Sequence, residues 1–190
     1  MKPRDPEKEQ ALLSAALRVA DREGLETLTV QKVAREAGLA VGTVYVYFAS
    51  KEDLLRSLYI QTKTVAGRRM LEGYSPELPF RQAFRLICRN ELNFLVENRP
   101  EVGFQAKFYR SGFADEETRA ATRETMEAVE ALVLRGQREE LIRLWDPELI
   151  LRFVLAVLKE AAAEAASLAP PDRSVLADQA AEFCLAGLAP

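Results

Sequence analysis

The sequence predicts an all-α protein of about nine helices, on three observations. Apolar residues recur at three- and four-residue spacing nearly throughout, no stretch sustains the alternation of a half-buried strand, and glycine or proline cuts the pattern into helix-length pieces. With 190 residues, the chain has room for a small head of about 50 residues fused to a larger body.

A first helix is expected from about Pro6 to Glu23, with Leu12 or Leu13, Ala16, Val19 and Ala20 facing inward and Gly24 ending it. Thr29 can cap the second, because its hydroxyl accepts one of the backbone N–H groups that a helix start leaves unpaired. Val30, Val33, Ala34 and Ala37 then share a face, Gly38 supplies the left-handed residue that stops the helix, and Leu39 anchors the reversal. A short third helix runs from Val41 to Phe48. Two short helices joined by a tight glycine turn have the form of a helix-turn-helix, whose second helix lies in the major groove of DNA.

Ser50 to Asp53 reads as a capping box that starts a long fourth helix reaching about Leu71. Gly73 to Pro79, with two prolines and a glycine, marks the break between head and body, and the functional division is expected at 1–50 and 51–190 because the fourth helix is shared. A fifth helix from Phe80 to about Asn98 ends before Pro100. A short sixth carries Val102, Phe104, Phe108 and Tyr109 on more than one face, which implies burial on both sides. Asp115, Glu116 and Glu117 suit the positive start of a seventh helix reaching Glu139. Asp146 and Pro147 set the start of an eighth, to about Leu168, and Pro170-Pro171-Asp172 breaks the chain before a last helix ending near Leu188.

Charge is unevenly placed. The whole chain holds 26 basic and 29 acidic residues, yet residues 1–69 hold 12 against 9 and the remainder 14 against 20, so only the N-terminal part is basic. There is no histidine, and Cys88 and Cys184 lie too far apart for a zinc spacing, so no metal, no cofactor and no histidine-based triad are expected. Both cysteines read as small buried hydrophobes. A phosphate-cradling glycine loop and a carboxylate–histidine metal motif are also missing, which leaves an enzyme on a helical bundle without support. The charged start MKPRDPEKEQ lacks an apolar signal region, and no apolar run approaches the roughly 20 residues of a bilayer span, so a cytoplasmic protein without a membrane partner is expected.

The run Leu39-Ala40-Val41-Gly42-Thr43-Val44-Tyr45-Val46-Tyr47-Phe48, followed by Ser50-Lys51-Glu52-Asp53-Leu54-Leu55, closely resembles the tetracycline-repressor (TetR/AcrR) family of bacterial transcription regulators. The resemblance covers about residues 8 to 60, and the body agrees only in helix number and length. It implies a homodimer that binds a palindromic operator in double-stranded DNA and lets go when a small effector enters the C-terminal body. A helical adaptor or small-molecule-binding protein whose helix-turn-helix is only structural is the alternative.

The residues carry that reading independently. Ala40, Val41, Gly42 and Thr43 are small, which lets the helix start approach base edges. Thr43 and Tyr45 are expected to reach DNA, Val44 and Phe48 to face the core with Val33, and Tyr47 to serve packing, the DNA backbone or both. Lys51, in the first turn of the fourth helix, is expected on a phosphate, with Thr29 and Lys32 as further phosphate contacts and Lys2, Arg4 and Lys8 as an arm. From Ala40 to Phe48 there is no Arg, Lys, Asn or Gln, so specificity is expected from Thr43, contact with thymine methyls and DNA shape.

In the body, Phe80, Phe84, Ile87, Phe94 and Leu95 form an apolar stripe with Glu91 in its middle, either ion-paired, exposed at a cleft or orienting a ligand. Effector walls are expected from among Phe84, Ile87, Cys88, Glu91, Phe94, Phe104, Phe108, Phe113, Met126 and Val129, whose aromatic content points to a lipophilic or aromatic effector. The last two helices carry apolar stripes rich in alanine. In the family resembled they form a four-helix dimer interface, which makes Phe153, Val157, Ala161, Val175, Ala180, Phe183 and Cys184 interface candidates, although a monomer's core explains the same stripes.

Overall fold

The computed structural model describes residues 5–120 and 123–190, and every regular element among them is an α-helix. The elements are α1 (Pro6–Glu23), α2 (Val30–Glu36), α3 (Val41–Tyr47), α4 (Lys51–Met70), α5 (Phe80–Glu97), α6 (Arg99–Arg110), α7 (Glu116–Ala120), α8 (Arg123–Arg138), α9 (Pro147–Ala165) and α10 (Pro170–Leu188). The count is ten rather than nine because the expected seventh helix is described as two segments, α7 and α8. Asp115 and Thr118 cap α7 reciprocally: each backbone N–H donates to the other's side chain, at 2.8 and 3.1 Å. Pro170 and Pro171 begin the last helix rather than preceding it, since first-turn positions have no intrahelical use for an N–H. Lys2 and Arg4 lie outside the described residues.

Local chemistry sets the helix ends near the head. The Thr29 hydroxyl accepts the Lys32 N–H at 3.3 Å. Gly38 adopts φ +67°, which lets Leu39 donate its N–H back to the Ala34 carbonyl at 2.9 Å. Ser50 accepts the Asp53 N–H at 3.1 Å, and the Asp53 carboxylate accepts the Ala49 N–H at 2.7 Å, so the box closes one residue further back than its simplest form.

By compactness the chain forms two units, Met1–Thr64 with Arg99–Thr122 and Val65–Asn98 with Arg123–Pro190. The chain passes between them after Thr64, Asn98 and Thr122. In the first unit, Leu12, Val19, Leu28, Val33, Val44, Leu54 and Leu55 make a core with essentially no exposure, and α6 packs on α1 to complete it. The Phe108 ring stacks on Tyr59 at 4.5 Å between centroids.

In the second unit, α5 packs against α8, α9 and α10. Ala177, Ala180 and Ala181 are buried and let α10 come close, while Arg89 and Arg85 on α5 reach Asp178 and Glu182 on α10 at 2.7 and 2.6 Å. Gln137 donates to the carbonyls of Arg143 at 3.0 Å and Trp145 at 2.7 Å, which holds the turn after α8.

Gly136 on α8 lies flush against the buried Phe80 ring, and a Cβ there would overlap the ring. Gly136→Ala is therefore expected to lower unfolding free energy by about 1–3 kcal/mol in urea titration, and Phe80→Leu in the same chain to restore part of it.

Candidate nucleic-acid interface

The seven residues of α3 are too few to hold a helix in isolation, so its conformation rests on packing. Val44, Tyr47 and Phe48 supply that packing from its inner side, all in the head's core. Their burial turns the opposite side outward: Val41, Gly42, Tyr45 and Val46 are exposed, and Thr43 sits half-buried at the margin. Tyr45 is 54% exposed and Val46 is 57% exposed. Val46 was not among the residues expected at DNA, because a lone valine in an apolar run gives no sign of which way it faces.

Several expected phosphate contacts are already engaged inside the head. Tyr47 is only 8% exposed, and its hydroxyl accepts the Asp5 N–H at 3.1 Å, so it serves packing and chain entry rather than an open surface. The Lys51 ammonium donates to the carbonyls of Leu25 at 2.9 Å and Glu26 at 3.4 Å, closing the turn that follows α1. Lys32 pairs with Glu23 at 2.8 Å and donates to the Thr27 carbonyl at the same distance. Thr29 is exposed, with its hydroxyl on the Lys32 N–H. Lys8 stands 3.8 Å from Asp5 in an exposed pair.

Arg18 and Arg22 also have partners within the head, in exposed pairs. Both hold Glu36 on α2, at 2.8 and 3.1 Å, and their hydrogen bonds keep its carboxyl below the ordinary range. Glu23 is lowered in the same way, first by Lys32 and then by Arg22. The Arg18 and Arg22 pairs join α1 to α2.

A family model described as bacterial regulatory proteins of the tetR family matches residues 12–58, the stretch from α1 into α4. An HTH-type transcriptional regulator of Haemophilus influenzae is 32% identical over 102 residues, 54% of either chain. The fatty acid metabolism regulator protein of Bacillus subtilis is 32% identical over 96 residues, covering 50% of this chain and 49% of that one. The chain thus spans about half the length of the curated relatives it matches. Residues 12–58 thus carry a TetR-family domain.

Solved structures extend the likeness of fold beyond the head. A TetR family transcription regulator from Marinobacter aquaeolei aligns over 96% of this chain and 97% of its own with a TM-score of 0.83 at 20% identity. The regulator FadR from Bacillus subtilis, solved with stearoyl-CoA, aligns over 94% and 98% with a TM-score of 0.72 at 21% identity.

Within this fold the expected effector walls separate. Phe84, Ile87, Cys88, Phe94 and Val129 are buried in the second unit, and Glu91 is half-buried with an interaction partner of its own. Phe104 and Phe108 belong instead to the first unit's core, because α6 uses both to pack the head, and the half-buried Phe113 packs beside them. Met126 is 44% exposed on α8. Burial pushes the Cys88 thiol far up, with Cys184 and Glu91 adding to it, and pushes Cys184 up to about 11, so both are protonated apolar groups at neutral pH. A polar cleft in this unit is lined by Arg69, Glu72, Asn90, Asn93, Glu97 and Asn98, joined by Phe94 from the expected set.

The interface candidates divide between two faces. Phe153, Val175 and Phe183 are exposed, Phe183 by 70%, and Val157 and Ala161 are half-buried. Ala180 and Cys184 face inward, where α10 meets the subunit's own helices. Among the described residues no helix is long and apolar enough to cross a membrane, and no group of three or more potential metal ligands is found.

Tyr45→Ala is expected to weaken binding to a selected duplex by at least tenfold in a fluorescence titration, while its urea midpoint shifts by less than about 0.5 kcal/mol equivalent. Because the folded Glu36 carboxyl titrates below its ordinary value of 4.5, its contribution is present above that pH and is lost as pH falls through the lower folded value. In acid unfolding followed by circular dichroism, Glu36→Gln should flatten the decline below about pH 4.5.

Proposed function

We propose that the protein is a transcriptional repressor that binds a palindromic operator as a homodimer and is released by a small lipophilic effector. Residues 1–50 carry DNA binding, and residues 51–190 carry effector binding and dimerisation. The observation that carries this reading is the division of α3 into a fully buried inner side and an outward arc of Val41, Gly42, Tyr45 and Val46, on a head of the TetR family.

A seven-residue helix reads too few base pairs to pick out one site, and two of them must meet successive major grooves about 34 Å apart or a multiple of that. The exposed Phe153, Val175 and Phe183 on α9 and α10 give the apolar area that a second copy would cover. The buried aromatic and aliphatic wall of α5 supports a lipophilic effector. Stearoyl-CoA bound to the FadR neighbour makes long-chain acyl-CoA the first compound to test. Effector binding would act on α4, which begins in one compact unit and ends in the other, and so alter how the two heads are held.

The test is selection of bound duplexes from a random pool by the full chain, followed by titration at 50 and 200 mM salt with and without acyl-CoA. A palindromic consensus, steep loss of affinity with salt and release by acyl-CoA are expected. Failure to enrich any sequence would favour the adaptor reading. Phe183→Glu is expected to give a monomer by analytical ultracentrifugation and to lose operator binding by at least a hundredfold while keeping its helical circular dichroism.

A further inference from the structure

The outward arc of α3 is apolar, and its middle is bare. On a helical wheel, Val41, Tyr45, Gly42 and Val46 follow one another over about 140°, and all four are exposed. None of the side chains on this arc can make the bidentate hydrogen bonds with which Arg, Lys, Asn or Gln read guanine and adenine.

Gly42 stands out for a second reason. Glycine is the poorest helix former after proline, so its presence inside a seven-residue helix needs a cause. The fold supplies none: a Cβ at Gly42 would meet no atom within 4 Å, and its backbone is helical rather than left-handed. Gly136 shows the contrast, since there the Phe80 ring occupies the space. Gly103 and Gly187 have the same open space within their helices; what sets Gly42 apart is its place in the middle of the outward arc of α3, where its bare backbone is open to a partner.

We propose that Gly42 and Val46, bordered by Val41 and Tyr45, form an apolar notch that receives the 5-methyl group of a thymine in the operator's major groove. The inference rests on the DNA-binding reading above. Thymine is the base that presents a methyl group in that groove, and Val41 and Val46 offer it apolar contact, whereas the hydrogen-bonding edges of guanine, adenine and cytosine would find only the Tyr45 hydroxyl on this arc. The bare Gly42 backbone lets the base edge come close, and the Val46 methyls close over the thymine methyl. Specificity at this position comes from shape and apolar contact.

The test uses the full chain and the duplex it enriches from a random pool, with each thymine replaced in turn by deoxyuridine, which removes only the methyl. At one position per half-site, affinity should fall about three- to fivefold per half-site, as expected for one buried methyl. Val46→Ala should lose a similar factor on the thymine duplex and lose nothing further on the deoxyuridine duplex. Gly42→Ala should melt at the same or a higher temperature and still bind the thymine duplex at least tenfold more weakly. Equal affinity for deoxyuridine at every position, or an enriched half-site without thymine, overturns the notch while leaving sequence-selective DNA binding in place. No selective binding to any duplex overturns the DNA-binding reading and the notch together.

Discussion

Burial of Val44, Tyr47 and Phe48 in the head's core fixes the direction in which α3 faces, and the rest of the interface follows from it. The helix has seven residues and gains little from its own hydrogen bonds, so these three side chains supply both its stability and its orientation. Tyr47 adds a second tie, because its hydroxyl holds the Asp5 N–H at the start of α1. Once they are in place, Val41, Gly42, Tyr45 and Val46 have only solvent or a partner to face.

Several cations of the head are paired with the head's own groups at its surface. Arg18 and Arg22 on Glu36, Lys32 on Glu23, and Lys51 on the carbonyls of Leu25 and Glu26 join α1, α2, α4 and the intervening turn into one presenting frame. The basic balance of the N-terminal part therefore overstates the cations free to grip phosphate. On the proposed function, such a head would gain affinity for DNA by being doubled, which is where the exposed Phe153, Val175 and Phe183 would bear on it.

Local signals were legible in the sequence and long-range ones were not. Thr29, Gly38 and the Ser50–Asp53 box act over three or four residues, and each closes the hydrogen bonds its type implies, with only the Ala49 acceptor site shifted by one. The all-α class and nearly every helix boundary followed from the same short-range periodicity. Phe104 and Phe108 illustrate the other case: apolar residues on more than one face of α6 suggested burial on both sides, whereas Phe104 and Phe108 are buried and Tyr109 is 69% exposed, and the pattern did not show that α6 packs with α1, some 90 residues earlier. Lys51 reads as a phosphate ligand by position, yet its long flexible chain reaches carbonyls that only the folded turn brings near. Val46 and Gly42 carried the least signal, since exposure and empty space are properties of a fold rather than of a spacing.

If each chain is half of a DNA-reading unit, as proposed, stoichiometry on DNA tests it most directly. Native mass spectrometry of the full chain with its selected duplex, protein limiting, should show free duplex and duplex carrying two chains, with almost no one-chain species. A dominant complex of one chain per duplex, formed with full sequence selectivity, would contradict it.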